Sequence, residues 1–222
     1  MMMTLKDLPK VGLLGLLVLV AGLPEASAQL GSRSADEWAN VLDREQRVSG
    51  LKIEEVVSRL KLKPGDVVAD IGAGTGVFSG PLAQAVAPTG TLLAVDIDQG
   101  LLDHIAQRAR EEKVTNIQPV LGEFDDPNLP TPVDVAFFHD VLHHIEHRQA
   151  YLKKLATYVE PDGRVVVIDM IFDRPDGPHR NQPEMHISQE QVRRWMAAAG
   201  FPVMQEIDLF DNKFFVVFRR NL

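Results

Sequence analysis

A mostly parallel α/β sheet with helices on both faces is the architecture this chain predicts, and three observations carry it. Short β-branched runs alternate with stretches of helical spacing from about residue 64 onward. The first of those runs opens directly into a glycine loop and then a helix. The chain ends in two strand-like runs around Asp211-Asn212, a hairpin turn signal. Alternation of strand and helix requires crossovers, and crossovers place parallel strands side by side under helices on both faces.

Before the alternation begins, two segments read differently. Residues 1–28 have the parts of a secretory signal peptide: Lys6 and Lys10, an apolar run over 11–23, then Ala26-Ser27-Ala28 before Gln29. The run falls short of the roughly 20 residues a spanning helix needs. Cleavage after Ala28 and an exported chain, periplasmic or secreted, are therefore expected, with a short membrane anchor as the alternative. No stable membrane span is expected in the mature chain. Residues 29–62 read as an N-terminal helical cover. Ser34 or Asp36 caps a first helix carrying Trp38, Val41 and Leu42, and a second helix covers roughly 52–60, with Ile53, Val56, Val57 and Leu60 on one face. Arg44, Glu45 and Arg47 lie between them. A sharper version makes this cover a lid, with Trp38 and Arg47 as its ligand contacts.

Residues 63–222 form the main domain. Pro64-Gly65-Asp66 is a turn signal, and 67–71 is a short apolar run interrupted only by Asp70, as in a strand buried on both faces. Gly72, Gly74 and Gly76 follow, leading into a helix over 77–87. Residues 91–95 make a second strand, which ends at Asp96-Ile97-Asp98, with Asp98 as a cap for a helix over 99–112. The third strand is 117–121, followed by Gly122-Glu123-Phe124, and the fourth is 133–138, leading into the histidine-rich segment 139–147. A helix over 148–159 ends at Pro161-Asp162-Gly163, and 164–169 is the fifth strand. Residues 170–187 make a long polar loop, a kind of segment that commonly carries function. Ser188 and Gln191 begin a capped helix that ends at Gly200-Phe201-Pro202. Residues 203–209 and 213–219 are the last two strands.

Composition narrows the function. The 222 residues carry a net charge of −8, which argues against a nucleic-acid backbone as the main partner. Without cysteine there is no disulfide framework, thiolate metal site or thiol nucleophile. The glycine spacing is decisive in another way. A dinucleotide loop reads G-x-G-x-x-G, whereas here the third glycine comes one residue early. Asp96, at the end of the second strand, stands where an acceptor-only carboxylate meets ribose hydroxyls in α/β nucleotide sites.

The Asp70-x-Gly72-x-Gly74-x-Gly76 run resembles motif I of the class I S-adenosylmethionine (SAM)-dependent methyltransferases. The run of Asp134, Val141, Leu142, His143, His144 and Ile145 is similar to a segment of many small-molecule members. The resemblance covers about residues 50–222. It implies a Rossmann-like, doubly wound, mostly parallel seven-stranded sheet with an antiparallel last strand, SAM as cofactor and a small-molecule acceptor. It further implies that Gly72, Gly74 and Gly76 line the methionine part and ribose, and that Asp70 and the backbone near His139 approach the ammonium. Asp96 would meet the ribose, Ile97 beside it would belong to the cofactor site, and Glu123 and Phe124 would meet the adenine, where the family commonly has G-D-A. Phe124 is either a stacking face or core.

His139, Asp140 and His143 are the candidate catalytic groups, with His144, His179 and His186 as further imidazoles and Arg174 and Arg180 as loop cations. His143 and His144 alternatively serve as structure in the site wall. His139, His143 and His147 have i, i+4, i+8 spacing, but their segment begins at a strand end and no H-E-x-x-H occurs, so no metal site is expected. Two other functions stay open: an exported non-catalytic binder of an adenosine-like ligand, and a nicotinamide oxidoreductase, which the glycine spacing disfavours.

Overall fold

The computed structural model describes residues 34–172, 179 and 181–220. The signal-peptide expectation for residues 1–28, and Arg174 and Arg180, lie outside the described residues. Within them, no helix is long and apolar enough to cross a membrane.

Seven strands form one sheet in the order β3-β2-β1-β4-β5-β7-β6. They are β1 (Val67–Ile71), β2 (Thr91–Asp96), β3 (Ile117–Leu121), β4 (Val133–His139), β5 (Val159–Met170), β6 (Val203–Glu206) and β7 (Lys213–Arg219). The first five run parallel, and β7 lies antiparallel between β5 and β6. The expected mostly parallel seven-stranded sheet is present.

The pleat sorts side chains into two cores. Val68, Val135, Phe137, Val166, Ile168, Phe215 and Val217 point to one face, packing with Val56 and Leu60 of α3 (Ile53–Leu60) and with Leu82, Ala83 and Val86 of α4 (Ser79–Val86). Ala69, Ile71, Ala136, Phe138, Val165 and Val167 point to the other, against Leu152 and Leu155 of α6 (Arg148–Leu155) and Val192 and Met196 of α7 (Gln189–Ala198). Burial on both faces is why these strands read as continuous apolar runs rather than alternating ones. Between β2 and β3, α5 (Gln99–Glu111) packs Leu102 and Ile105 against Ala94. Asp98 caps α5 by accepting from the N–H groups of Gly100 and Leu101, and Ser188 and Gln191 form a reciprocal capping box on α7.

Four boundaries differ from expectation. Residues between the two cover helices α1 (Ala35–Leu42) and α3 form a further short helix, α2 (Glu45–Gly50). Helix α4 begins at Ser79, after turns at Val77 and Phe78. Helix α6 stops at Leu155 and β5 starts at Val159, so Pro161-Asp162-Gly163 is an irregularity inside a strand rather than a boundary. The pairing with β4 shifts there, from Val133–Val159 to Val135–Arg164. A bulge absorbs extra residues without ending the strand, which explains why turn-type residues misled. Finally, β6 ends at Glu206, short of residue 209.

Strand order reverses between β1 and β4, whose connections leave in opposite directions. A crevice outside the carboxyl ends of the strands results, and the site lies there.

Candidate functional site

A cleft of about 470 Å³ opens at this point, with the glycine loop, the ends of β2 and β3, the histidine segment and the N-terminal cover as its walls. The loop is held from below: the N–H groups of Gly72 and Ala73 both donate to the Val95 carbonyl, at 2.8 and 2.9 Å. Gly72 has φ +68, and a Cβ there would lie 2.2 Å from Val141 Cγ2. Only glycine meets both demands. Gly74 faces the cleft under the cover. Gly76 does not line the cleft; a Cβ on it would sit 2.8 Å from Ile105 of α5. Gly72 and Gly74 thus border the cleft directly, and Gly76 shapes the turn against α5.

Asp96 is buried, yet borders the cleft. Its Oδ2 accepts from Gly74 N–H at 2.8 Å and its Oδ1 from Asp98 N–H at 3.1 Å. Burial raises its carboxyl above the ordinary value, and the N–H groups of Gly74, Asp98 and Ile97 pull it back. Each oxygen keeps acceptor capacity beyond those bonds. Behind it, Asp70 is 3% exposed and accepts the Ser79 hydroxyl at 2.9 Å. Burial, opposed by that hydroxyl, pushes Asp70 up to about 7. Ile97, Glu123 and Phe124 border the same end of the cleft. Phe124 is 56% exposed, so it stands at the mouth as an open ring face, not as core.

Across the cleft the wall is imidazole. His139 ends β4 with its ring against Phe78, at a centroid distance of 4.7 Å, and its Nδ1 3.4 Å from Asp140 Oδ2. Its Nε2 is buried without a hydrogen-bond partner among the described residues. Burial, joined by the charges of Lys213 and Arg47 and opposed by Asp140, pushes His139 down to about 3. Asp140 has φ 53, in the left-handed region, and its carboxylate pairs with the buried ammonium of Lys213, the first residue of β7. Burial raises Asp140, but His139 and Lys213 together outweigh it, and the carboxyl sits below its ordinary value.

His143 lies in a short 3-10 turn, Leu142–His144, behind the wall rather than on it. Its Nδ1 bonds Asp169 Oδ1 at 2.7 Å, and its backbone N–H donates to Asp169 Oδ2 at 3.2 Å. His144 and His179 do face the cleft. Three rings cluster there, with centroids 4.1 Å apart for His143 and His144, 5.3 Å for His143 and His179 and 5.4 Å for His144 and His179. The sequence spacing had singled out His139, His143 and His147, but a strand end followed by a 3-10 turn does not keep helical periodicity. Arg148 pins the arrangement by donating to the carbonyls of His143, at 2.6 Å, and Glu184, at 2.8 Å.

The cover closes the top. Trp38, Leu42 and Arg47 border the cleft, and Asp43 accepts the hydroxyl of Thr75 from the glycine loop. Sequence reasoning missed Asp169, Arg148, Thr75, Gln182 and Lys213. Asp169 left a signal, an acid closing the apolar run of β5; Lys213 and Arg148 left none, because surface-type residues at strand and helix starts are unremarkable.

The model of a methyltransferase domain matches residues 62–200, more than half of the chain. This chain belongs to the methyltransferase-domain family. Among curated relatives, a ubiquinone/menaquinone biosynthesis C-methyltransferase of Ectopseudomonas mendocina is 31% identical over 121 residues, which is 53% of this chain and 46% of that protein. The chain thus spans about half the length of the curated relatives it matches. Among solved structures, a SAM-dependent methyltransferase from Aquifex aeolicus superposes with a TM-score of 0.73 at 22% identity, covering 84% of this chain and 98% of that one. The magnesium protoporphyrin IX methyltransferase of Synechocystis with bound SAM gives 0.69 at 20% identity, covering 90% and 99%. These structural likenesses establish the methyltransferase-domain fold.

Proposed function

We propose that this domain transfers a methyl group from SAM to a small-molecule acceptor. The observation that carries the reading is the pairing of a close-approach glycine loop with the buried Asp96 carboxylate on one cleft. Gly72 and Gly74 leave room for a ligand's backbone-hugging part, and Asp96 has acceptor capacity for vicinal hydroxyls. Glu123 and the open face of Phe124 suit an adenine ring. The related structure that contains SAM supports the choice of cofactor.

SAM, when bound, supplies an electrophilic methyl group on a sulfonium whose leaving sulfide is neutral. The protein's task is then chiefly to align the acceptor and exclude water. Trp38 and Arg47 cover the cleft for the second purpose. His139 is assigned the first. With its imidazolium held down near 3, it is neutral at physiological pH and a poor proton sink, so it acts as a hydrogen-bond acceptor through Nε2 rather than as a strong base. Asp140 and Lys213 fix that ring; His143 sits too deep to touch an acceptor and positions the wall through Asp169. Demethylmenaquinone methyltransferases and a ubiquinone/menaquinone C-methyltransferase among the relatives make quinone precursors the first acceptors to try. The basic start, apolar run and A-x-A site further support export of the mature chain. N-terminal sequencing of the fractionated protein checks this, with Gln29 as the expected first residue.

Calorimetric titration with SAM, S-adenosylhomocysteine and NAD tests the reading. Heat of binding is expected with the first two and none with NAD. Silence with both adenosyl ligands sinks the proposal. Binding without turnover on the acceptor panel favours the non-catalytic binder.

A further inference from the structure

His143, His144 and His179 each offer a ring nitrogen, and these three atoms lie within 4.8 Å of one another. Two of the rings are already oriented from outside the cluster. His143 Nδ1 is engaged by the fully buried Asp169 at 2.7 Å, and His179 Nδ1 by Gln182 Oε1 at 2.7 Å. In each ring this leaves Nε2 as the nitrogen for a ligand. His143 Nε2 is buried, in a residue 1% exposed, and has no hydrogen-bond partner among the described residues. A buried nitrogen without a partner is costly, and a carboxylate on the opposite nitrogen is the arrangement that metal-binding imidazoles use.

We propose that His143, His144 and His179 form a three-imidazole site for a divalent transition metal of the zinc class. Tetrahedral zinc–nitrogen bonds of 2.0–2.1 Å place the nitrogens about 3.3 Å apart, so from a 4.8 Å triangle each moves inward by up to roughly 0.9 Å. His144, open to the cleft, and His179, in a loop, make that adjustment by small ring rotations. Three neutral nitrogens and an all-imidazole set suit zinc, copper or nickel and disfavour magnesium or calcium, which prefer oxygen. His144 and His179 also border the cleft, which leaves a fourth position on that side for water or for a donor atom of the molecule in the cleft. His179 has φ 58, a left-handed backbone that an L-residue adopts at a cost, as at sites where side-chain placement outweighs backbone comfort.

The site stands apart from the methyl-transfer reading, and the experiment keeps them separate. The full chain, stripped with a chelator, is titrated with zinc chloride in the absence of SAM, and with cobalt(II) chloride as a visible-absorption probe. One metal per chain is expected, with the intense cobalt bands of a four-coordinate site. His144→Ala and His179→Ala, at positions outside the core, should each weaken zinc binding at least tenfold, with thermal unfolding close to wild type. Asp169→Asn should weaken it about tenfold. A His104→Ala control, changing a histidine outside the cluster, should change nothing. Absence of metal binding, or binding unaltered by His144→Ala and His179→Ala, overturns the proposal whatever SAM does.

Discussion

The two halves of the cleft are built on opposite plans. On the glycine side, one contiguous stretch from β1 to Asp98 makes the wall out of backbone, and its polar groups hold one another: Gly74 N–H on Asp96, Ser79 on Asp70, Gly72 N–H on Val95. On the histidine side, side chains come from the end of β4, the 3-10 turn, β5, a distant loop and β7. There His139 Nε2, Asp140 Oδ1 and His143 Nε2 remain buried without partners among the described residues. A satisfied wall presents one fixed shape, whereas an unsatisfied one gains by binding something. The comparison teaches where to look for the two ligands: the constant one against the backbone wall, the chemically particular one against the imidazoles.

The largest expected effect lies under the histidine side. Asp140→Asn leaves the Lys213 ammonium buried without its anion and should destabilise the fold by about 3 kcal/mol, read by denaturant unfolding. Asp140→Asn with Lys213→Met should recover much of that loss; no recovery would mean the pair is not what holds His139. On the other side, Gly72→Ala combines φ +68 with a 2.2 Å approach to Val141 and should cost about 2–3 kcal/mol in unfolding free energy. Adding Val141→Ala should relieve the overlap and leave the backbone strain.

A pH titration of stability separates the halves further. Asp70 has its carboxyl raised from 3.8 to about 7, so between those values the native state holds a proton that the unfolded chain has released. Its contribution is complete below the unfolded value and is lost as pH rises through about 7. Asp70→Asn keeps the neutral shape. Relative to wild type it should therefore gain stability progressively from pH 4 to pH 7, on the order of 2–3 kcal/mol at the upper end. Equal pH profiles for the two proteins would mean that Asp70 is not buried as described. The smallest effect belongs to the cover: Trp38→Ala should weaken SAM binding about threefold by calorimetry, or about 0.6 kcal/mol, with little change in stability.

The same division governs how much the sequence revealed. The glycine side was legible because its parts are neighbours in the chain: Asp70 precedes the loop, Asp96 closes the next strand, and Asp98 caps the following helix as expected. Strand and helix order followed from apolar runs buried on both faces. The histidine side was named but not assembled. His143 and His179 come from segments far apart in the chain, which Arg148 ties together by bonding both the 3-10 turn and the Glu184 carbonyl, and Lys213 reaches Asp140 because β7 inserts beside β5. Contacts of that kind depend on sheet order, which no local pattern encodes. Gly76 marks a limit of that legibility on the glycine side too: its place in the motif does not reveal that its neighbour is Ile105.

Side-by-side titration of Asp96→Ala and His144→Ala with SAM tests the division of labour most directly. At least tenfold weaker SAM binding is expected for Asp96→Ala, about 1.4 kcal/mol. For His144→Ala the expected affinity is within about twofold of wild type, under about 0.5 kcal/mol. Equal losses in both variants, or a loss confined to His144→Ala, would contradict that division.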